Sequence, residues 1–186
     1  MKRRTLIGAA VSAAAAALVP RRARAGEPIR PPGALKPGDF ERACIGCYRC
    51  AEVCPPLAIQ FPPRLGLEEA VPYVDTRARG CVLCMQCTNV CPTGALQPIA
   101  ARSEVIAVEV RMGVPQLHRD RCLPWSGTGN CRLCHEVCPY ADRAVELVGP
   151  QLGPLFHPDA CVGCGLCEEA CPSEARAIRI VPGGGK

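Results

Sequence analysis

A small α+β fold built from repeated modules, each with short β-hairpins and short helices, is what this 186-residue sequence predicts. Three observations predict it. Sixteen cysteines fall into four groups, and each group ends in a Cys-Pro pair: Cys44, Cys47, Cys50 and Cys54; Cys81, Cys84, Cys87 and Cys91; Cys122, Cys131, Cys134 and Cys138; Cys161, Cys164, Cys167 and Cys171. The first cysteines of successive groups lie 37, 41 and 39 residues apart, the self-similarity of a repeated supersecondary unit. Short strand-like stretches broken by Gly and Pro separate the groups, and with aromatics at only 4% no single large apolar core is expected.

Groups one, two and four match C-x2-C-x2-C-x3-C-P residue for residue, the run that holds [4Fe-4S] cubanes in bacterial ferredoxins, where the fourth Cys ligates a different cluster from the first three. All sixteen cysteines are therefore expected as ligands of four [4Fe-4S] clusters in tandem bacterial-ferredoxin-like modules. Two-residue gaps let a tight loop wrap one corner of a cubane, and Gly46, Gly163 and Gly165 ease the close approach of backbone N–H groups to sulfur. The three-residue step to the fourth Cys is about one helical turn, and the following Pro turns the chain toward extended backbone and a second cluster.

Three other readings fit the cysteines less well. A disulfide framework seldom repeats one spacing four times, and neighbouring Cys-x-x-Cys thiols bridge poorly in most backbone geometries. Structural zinc takes paired C-x2-4-C elements, which leaves the fourth Cys of each group without a role. Cys131-Arg132-Leu133-Cys134-His135 reads as a c-type haem attachment sequence, but haem would strand Cys122 and Cys138. His135 is accordingly expected in solvent beside a cluster loop, and His118 and His157 at the surface.

Residues 1–25 read as an export signal: basic Lys2, Arg3 and Arg4, an Ala-rich apolar stretch, and Ala23-Arg24-Ala25 as the cleavage site. Arg3-Arg4 followed by Thr5-Leu6-Ile7 resembles the twin-arginine motif, with Gly8 where Lys is common. That route agrees with the cysteines, because cubanes are built in a reducing compartment before the thiols meet an oxidising one. The apolar stretch is shorter than the roughly 18 residues of a spanning helix, so membrane contact is expected only through a partner. Cleavage takes away six basic and no acidic residues, turning the formal +5 into −1, which indicates neither nucleic acid nor anionic lipid as partner.

Residues 26–43, rich in Pro and Gly, read as an extended arm that is not a packed element, and 44–186 as the four-cluster domain. Within that domain 143–148 and 154–157, joined by a Gly-Pro turn, form a β-hairpin pattern. Strand-like stretches also occur at 57–61, 72–75, 95–99, 115–118 and 177–181, and short helices fit 62–70 and 102–113. No paired carboxylates, Ser/His arrangement or phosphate-cradling loop accompanies the clusters, so the sequence predicts an electron carrier with neither enzymatic activity nor a small-molecule substrate.

The third group spaces its first two cysteines widely, across Leu123-Pro124-Trp125-Ser126-Gly127-Thr128-Gly129-Asn130. With the export signal and the four motifs, this resembles the NapG/MauM family of ferredoxin-type proteins, associated with periplasmic nitrate reductase and methylamine utilisation. The resemblance implies a periplasmic intermediate that takes electrons from a membrane quinol-oxidising ferredoxin-type protein and passes them toward a periplasmic redox enzyme or cytochrome. The electron-transfer subunit of a molybdopterin oxidoreductase and a redox maturation factor are the alternatives. Likeness to four-cubane electron subunits favours nested pairing, in which Cys44, Cys47 and Cys50 share a cube with Cys171, and Cys81, Cys84 and Cys87 with Cys138. The hairpin between groups three and four favours pairing of neighbouring groups instead. The loop carrying Trp125, the sole tryptophan, is expected to be a docking surface or a lid over its cluster, with docking favoured.

Overall fold

A computed structural model describes residues 28–62 and 71–183. The export signal, residues 63–70 of the segment expected to be helical, and the last three residues lie outside the described residues.

Elements are short throughout. Helices α1 (Asp39–Ala43), α2 (Arg49–Glu52) and α3 (Gln86–Asn89) and strands β1 (Ile59–Gln60) and β2 (Tyr73–Val74) occupy the first half. Helix α4 (Ser103–Glu109) follows, then β3 (Val114–Leu117), α5 (Leu123–Ser126), α6 (Leu133–Glu136), β4 (Val145–Val148), β5 (Gly153–Phe156), α7 (Leu166–Glu169) and β6 (Ile178–Val181). Most helices are a single turn, too short to hold themselves, so packing decides them.

The two halves share one plan. In the second, β4 and β5 form the antiparallel hairpin read from the sequence, while β3 pairs with β6 from Val114↔Val181 to Leu117↔Ile178. Ile178 and Ile180 face inward and Arg179 outward, the period of a strand with one buried face. In the first half β1 pairs with β2, and the lead-in and trailing segments meet at Ala34↔Leu96, flanked by Leu35 N–H to Ala95 O and Gln97 N–H to Gly33 O. The strand expected over 95–99 is thus a brief bridge, because Pro98 brings no N–H to extend the ladder. The helix expected within 102–113 is α4, whose first residue accepts the Tyr140 hydroxyl at its carbonyl.

The arm is packed, contrary to the reading of 26–43 as unpacked. Ile29 and Pro31 are buried, α1 is helical, and its Phe40 is fully buried. Arg30 explains the close fit: its guanidinium lies over the Phe40 ring, bonds Pro72 O and pairs with Glu41. Phe40 is one of few aromatics available, and burying it outweighs the extended preference of its Pro- and Gly-rich context.

Small apolar side chains and the cysteines make a continuous core through both halves, from Ile29 to Ile180, with a satellite of Cys122, Cys171 and Ala177 under Trp125. Among the described residues no helix is long and apolar enough to cross a membrane.

Candidate functional site

Within each regular cysteine loop two residues take the left-handed conformation: Gly46 and Tyr48 in group one, Leu83 and Met85 in group two, Gly163 and Gly165 in group four. These reversals turn the chain tightly enough for three thiols to face one space. Tyr48, Leu83 and Met85 do so without being glycine, at a cost of about 1 kcal/mol each or more. The residue after the second Cys then caps a one-turn helix that carries the third: Cys50 on α2, Cys87 on α3, Cys167 on α7. Group three departs. Arg132 precedes α6 with φ −142°, and the long spacer forms α5, closed by Gly127 at φ 71°.

The fourth cysteine of each group returns to the loop of its neighbour. One cavity is lined by Cys44, Cys47 and Cys50 with Cys91, a second by Cys81, Cys84 and Cys87 with Cys54, and a third by Cys161, Cys164 and Cys167 with Cys138. Cys122, Cys131 and Cys134 stand together with Cys171. These sets are called sites 1, 2, 4 and 3 after the group supplying three thiols. The nested arrangement is therefore corrected: Cys54 lies beside Cys81, not beside Cys161. Short connections explain it, since each half closes its own sheet pairings before the chain moves on.

The donor sets fit a cluster. Thiols and mostly apolar side chains line sites 1, 2 and 4, with Arg49 and Thr93 added at site 1, and among the described residues no three ligand groups converge tightly enough for a single ion. Backbone N–H groups point at sulfur: Leu96 at Cys91 (3.4 Å), Gly163 at Cys161 (3.4 Å) and Ala177 at Cys171 (3.3 Å).

Burial pushes most of these thiols up, reinforced by their neighbours: Cys50 and Cys81 to about 11, and Cys87, Cys134 and Cys164 to about 12. Cys91 is the exception. Burial raises it too, but hydrogen bonds from Leu96 N–H, the Thr93 hydroxyl and adjacent amides outweigh that and bring it below the ordinary thiol value. Thiols this high are neutral without metal, so ligation must release protons.

Exposure differs between the ends. Of the sixteen cysteines Cys47 alone is exposed, beside Ile45 at 67% exposure. At site 3 Trp125 is turned inward: its Nε1–H donates to Pro154 O at 3.0 Å, its ring packs toward Cys122 and Cys171, and Arg119 lies 4.2 Å above it. Of the two roles expected for the loop, this placement of Trp125 supports the lid over site 3, while the loop tip, 126–130, is exposed. The signal missed in the sequence was Gly153, where any Cβ would sit 2.5 Å from the indole. His135 bonds Asp142 Oδ1 at 2.7 Å, half-buried, and His157 lies 3.4 Å from Glu146 without hydrogen-bond alignment.

Two family models match. A 4Fe-4S dicluster domain covers residues 43–95, the span of sites 1 and 2, and a 4Fe-4S binding domain covers 154–177. With sixteen cysteines in these surroundings, the chain is of the iron–sulfur electron-transfer class. It is 37% identical over 155 residues to the ferredoxin-type protein NapG of Haemophilus influenzae, covering 76% of this chain and 54% of that protein, about half its length. NapG of Escherichia coli is 34% identical over 175 residues (86% and 73% covered), and the methylamine utilization ferredoxin-type protein MauM of Methylorubrum extorquens 34% over 161 residues (83% and 72%). The chain belongs to this NapG/MauM family of ferredoxin-type proteins.

Proposed function

We propose that the sixteen cysteines hold four [4Fe-4S] clusters in two tandem dicluster modules. On this reading the chain is a periplasmic polyferredoxin, exported folded by the twin-arginine route. It relays electrons from a membrane quinol-oxidising ferredoxin-type protein toward a periplasmic redox enzyme or cytochrome, and catalyses no reaction of its own. One observation carries the reading: four times over, three thiols of one loop are joined by one returning thiol from the neighbouring group. The names of the relatives support the wider setting, and the resemblance implies a nitrate-reductase or methylamine-utilisation system.

When bound, such clusters supply one-electron transfer at potentials tuned by hydrogen bonds and solvent. The chain's residues do the rest. The cysteines would give up their protons and hold the metal, while Leu96, Gly163 and Ala177 direct N–H groups at sulfur. Met85, Val162 and Trp125 exclude water. Sites 1 and 2 are held close because α2 packs on α3, and sites 3 and 4 because α6 packs on α7.

The test is metal content and reduction. Anaerobically purified mature protein is expected to hold about sixteen iron and sixteen sulfide per chain, and to be reduced by quinol when its membrane neighbour is present. A zinc-bearing, iron-free protein of unchanged structure would contradict the proposal.

A further inference from the structure

Where the two halves meet, the contact is made by the cysteine loops themselves. Cys81 N–H of site 2 donates to Cys164 O of site 4 at 2.7 Å. One residue earlier, Gly80 N–H donates to Glu169 Oε2 at 2.7 Å, and a Cβ on Gly80 would stand 2.8 Å from Leu166 N. Across the same seam Gly165, at φ +81°, leaves room for Thr76, whose Cβ lies 2.5 Å from where a Cβ of residue 165 would be.

Beneath this contact lies Glu168, only 1% exposed and the sole charged-type side chain among the buried described residues. Its Oε2 accepts the Thr76 hydroxyl from the first half and Ile180 N–H from β6, each at 2.8 Å. A carboxyl group is costly to bury unless hydrogen-bonded, and an apolar side chain would serve a core better. What Glu168 provides instead is direction: it ties Thr76, five residues before Cys81, to α7, which carries Cys167.

We propose that this seam is the electron crossing between the halves, with Cys81 N–H···O=C Cys164 as its shortest bonded path and with Thr76 and Glu168 as positioning residues. The inference rests on the four-cluster reading. The order of sites is then 1, 2, 4, 3, with 2 and 4 in the middle although their groups are not adjacent in sequence. No bond is made or broken at the seam; one electron is lost on one side and gained on the other.

Three variants of the full chain, loaded with iron anaerobically, test it: Gly80→Ala wedges the seam, Thr76→Val deletes the hydroxyl at constant shape, and Thr76→Ser restores it. The readouts are iron content, hydrogen exchange at the Cys81 amide, and spin–spin splitting in the electron paramagnetic resonance spectrum of the fully reduced protein. Gly80→Ala and Thr76→Val are expected to keep their iron, expose the Cys81 amide and lose part of the splitting, while Thr76→Ser matches the parent. If Gly80→Ala does not fold, Thr76→Val decides alone. Full iron with unchanged splitting overturns the seam, as does a Thr76→Ser variant as impaired as Thr76→Val. A parent protein with fewer than four clusters overturns the four-cluster reading and the crossing with it.

Discussion

The two halves use the same plan with different means of support. In the second, a four-residue hairpin and the four-residue β3–β6 ladder close the module, and Arg176 ties the carbonyls of Glu168, Glu169 and Cys171 together at the end of α7. In the first, both ladders shrink to about a bridge each, and stability comes from the arm, Phe40 and the Arg30–Glu41 pair. The ends differ likewise: site 1 has the exposed Cys47, while site 3 lies under Trp125. The cysteine motif thus fixes the number of thiols around each site, and everything outside it decides how open the site is.

Removing iron should break the comparison most. Because cluster binding supplies folding free energy, chelation is expected to unfold most of the chain, with residual hydrogen-exchange protection confined to β3–β6 and β4–β5. Equal loss in both halves would show that the longer ladders add nothing.

Trp125→Ala should make the closed end resemble the open one. Lost burial and the lost bond to Pro154 are together worth about 1–3 kcal/mol, and site 3 should lose iron in air faster than in the parent. Unchanged iron retention with slower partner reduction would favour the docking role over the lid.

Smaller effects are expected at site 1. Thr93→Val removes a hydroxyl 3.7 Å from Cys91 Sγ and should lower that site's potential by no more than about 40 mV, the one-electron equivalent of a bond worth about 1 kcal/mol. A redox titration that finds no shift, or a rise, rules out that donor.

The smallest effect concerns pH. Burial works against Glu41 ionising, but Gly38 N–H, its own N–H and Arg30 outweigh this and hold its carboxyl below the usual range. A lowered folded-state value means stabilisation fully present above the unfolded value, near 4, and lost as pH falls through the folded one. Glu41→Gln should therefore flatten the acid limb of first-half melting, and leave the second half unchanged.

Much of this was legible in the sequence. The groups of cysteines, the 143–157 hairpin and a helix within 102–113 follow from spacing and periodicity, because each is set by residues close together in the chain. Which group lends its fourth thiol to which loop depends on how each half closes, and the motif is the same for either pairing. The burial of Phe40 was missed, and the choice between lid and docking at Trp125 was left to a preference, for a related reason: each ring is met by a distant residue, Arg30 over one and Gly153 beside the other, and local composition says loop in both places.

Neighbour pairing is tested most directly by deleting one returning thiol and asking which loop is freed. In Cys91→Ala, purified anaerobically and alkylated before denaturation, mass spectrometry should find label on Cys44, Cys47 and Cys50, with Cys122, Cys131 and Cys134 protected and about four iron lost. Label on Cys122, Cys131 and Cys134 with Cys44, Cys47 and Cys50 protected would mean the groups are nested and would contradict the two-module arrangement.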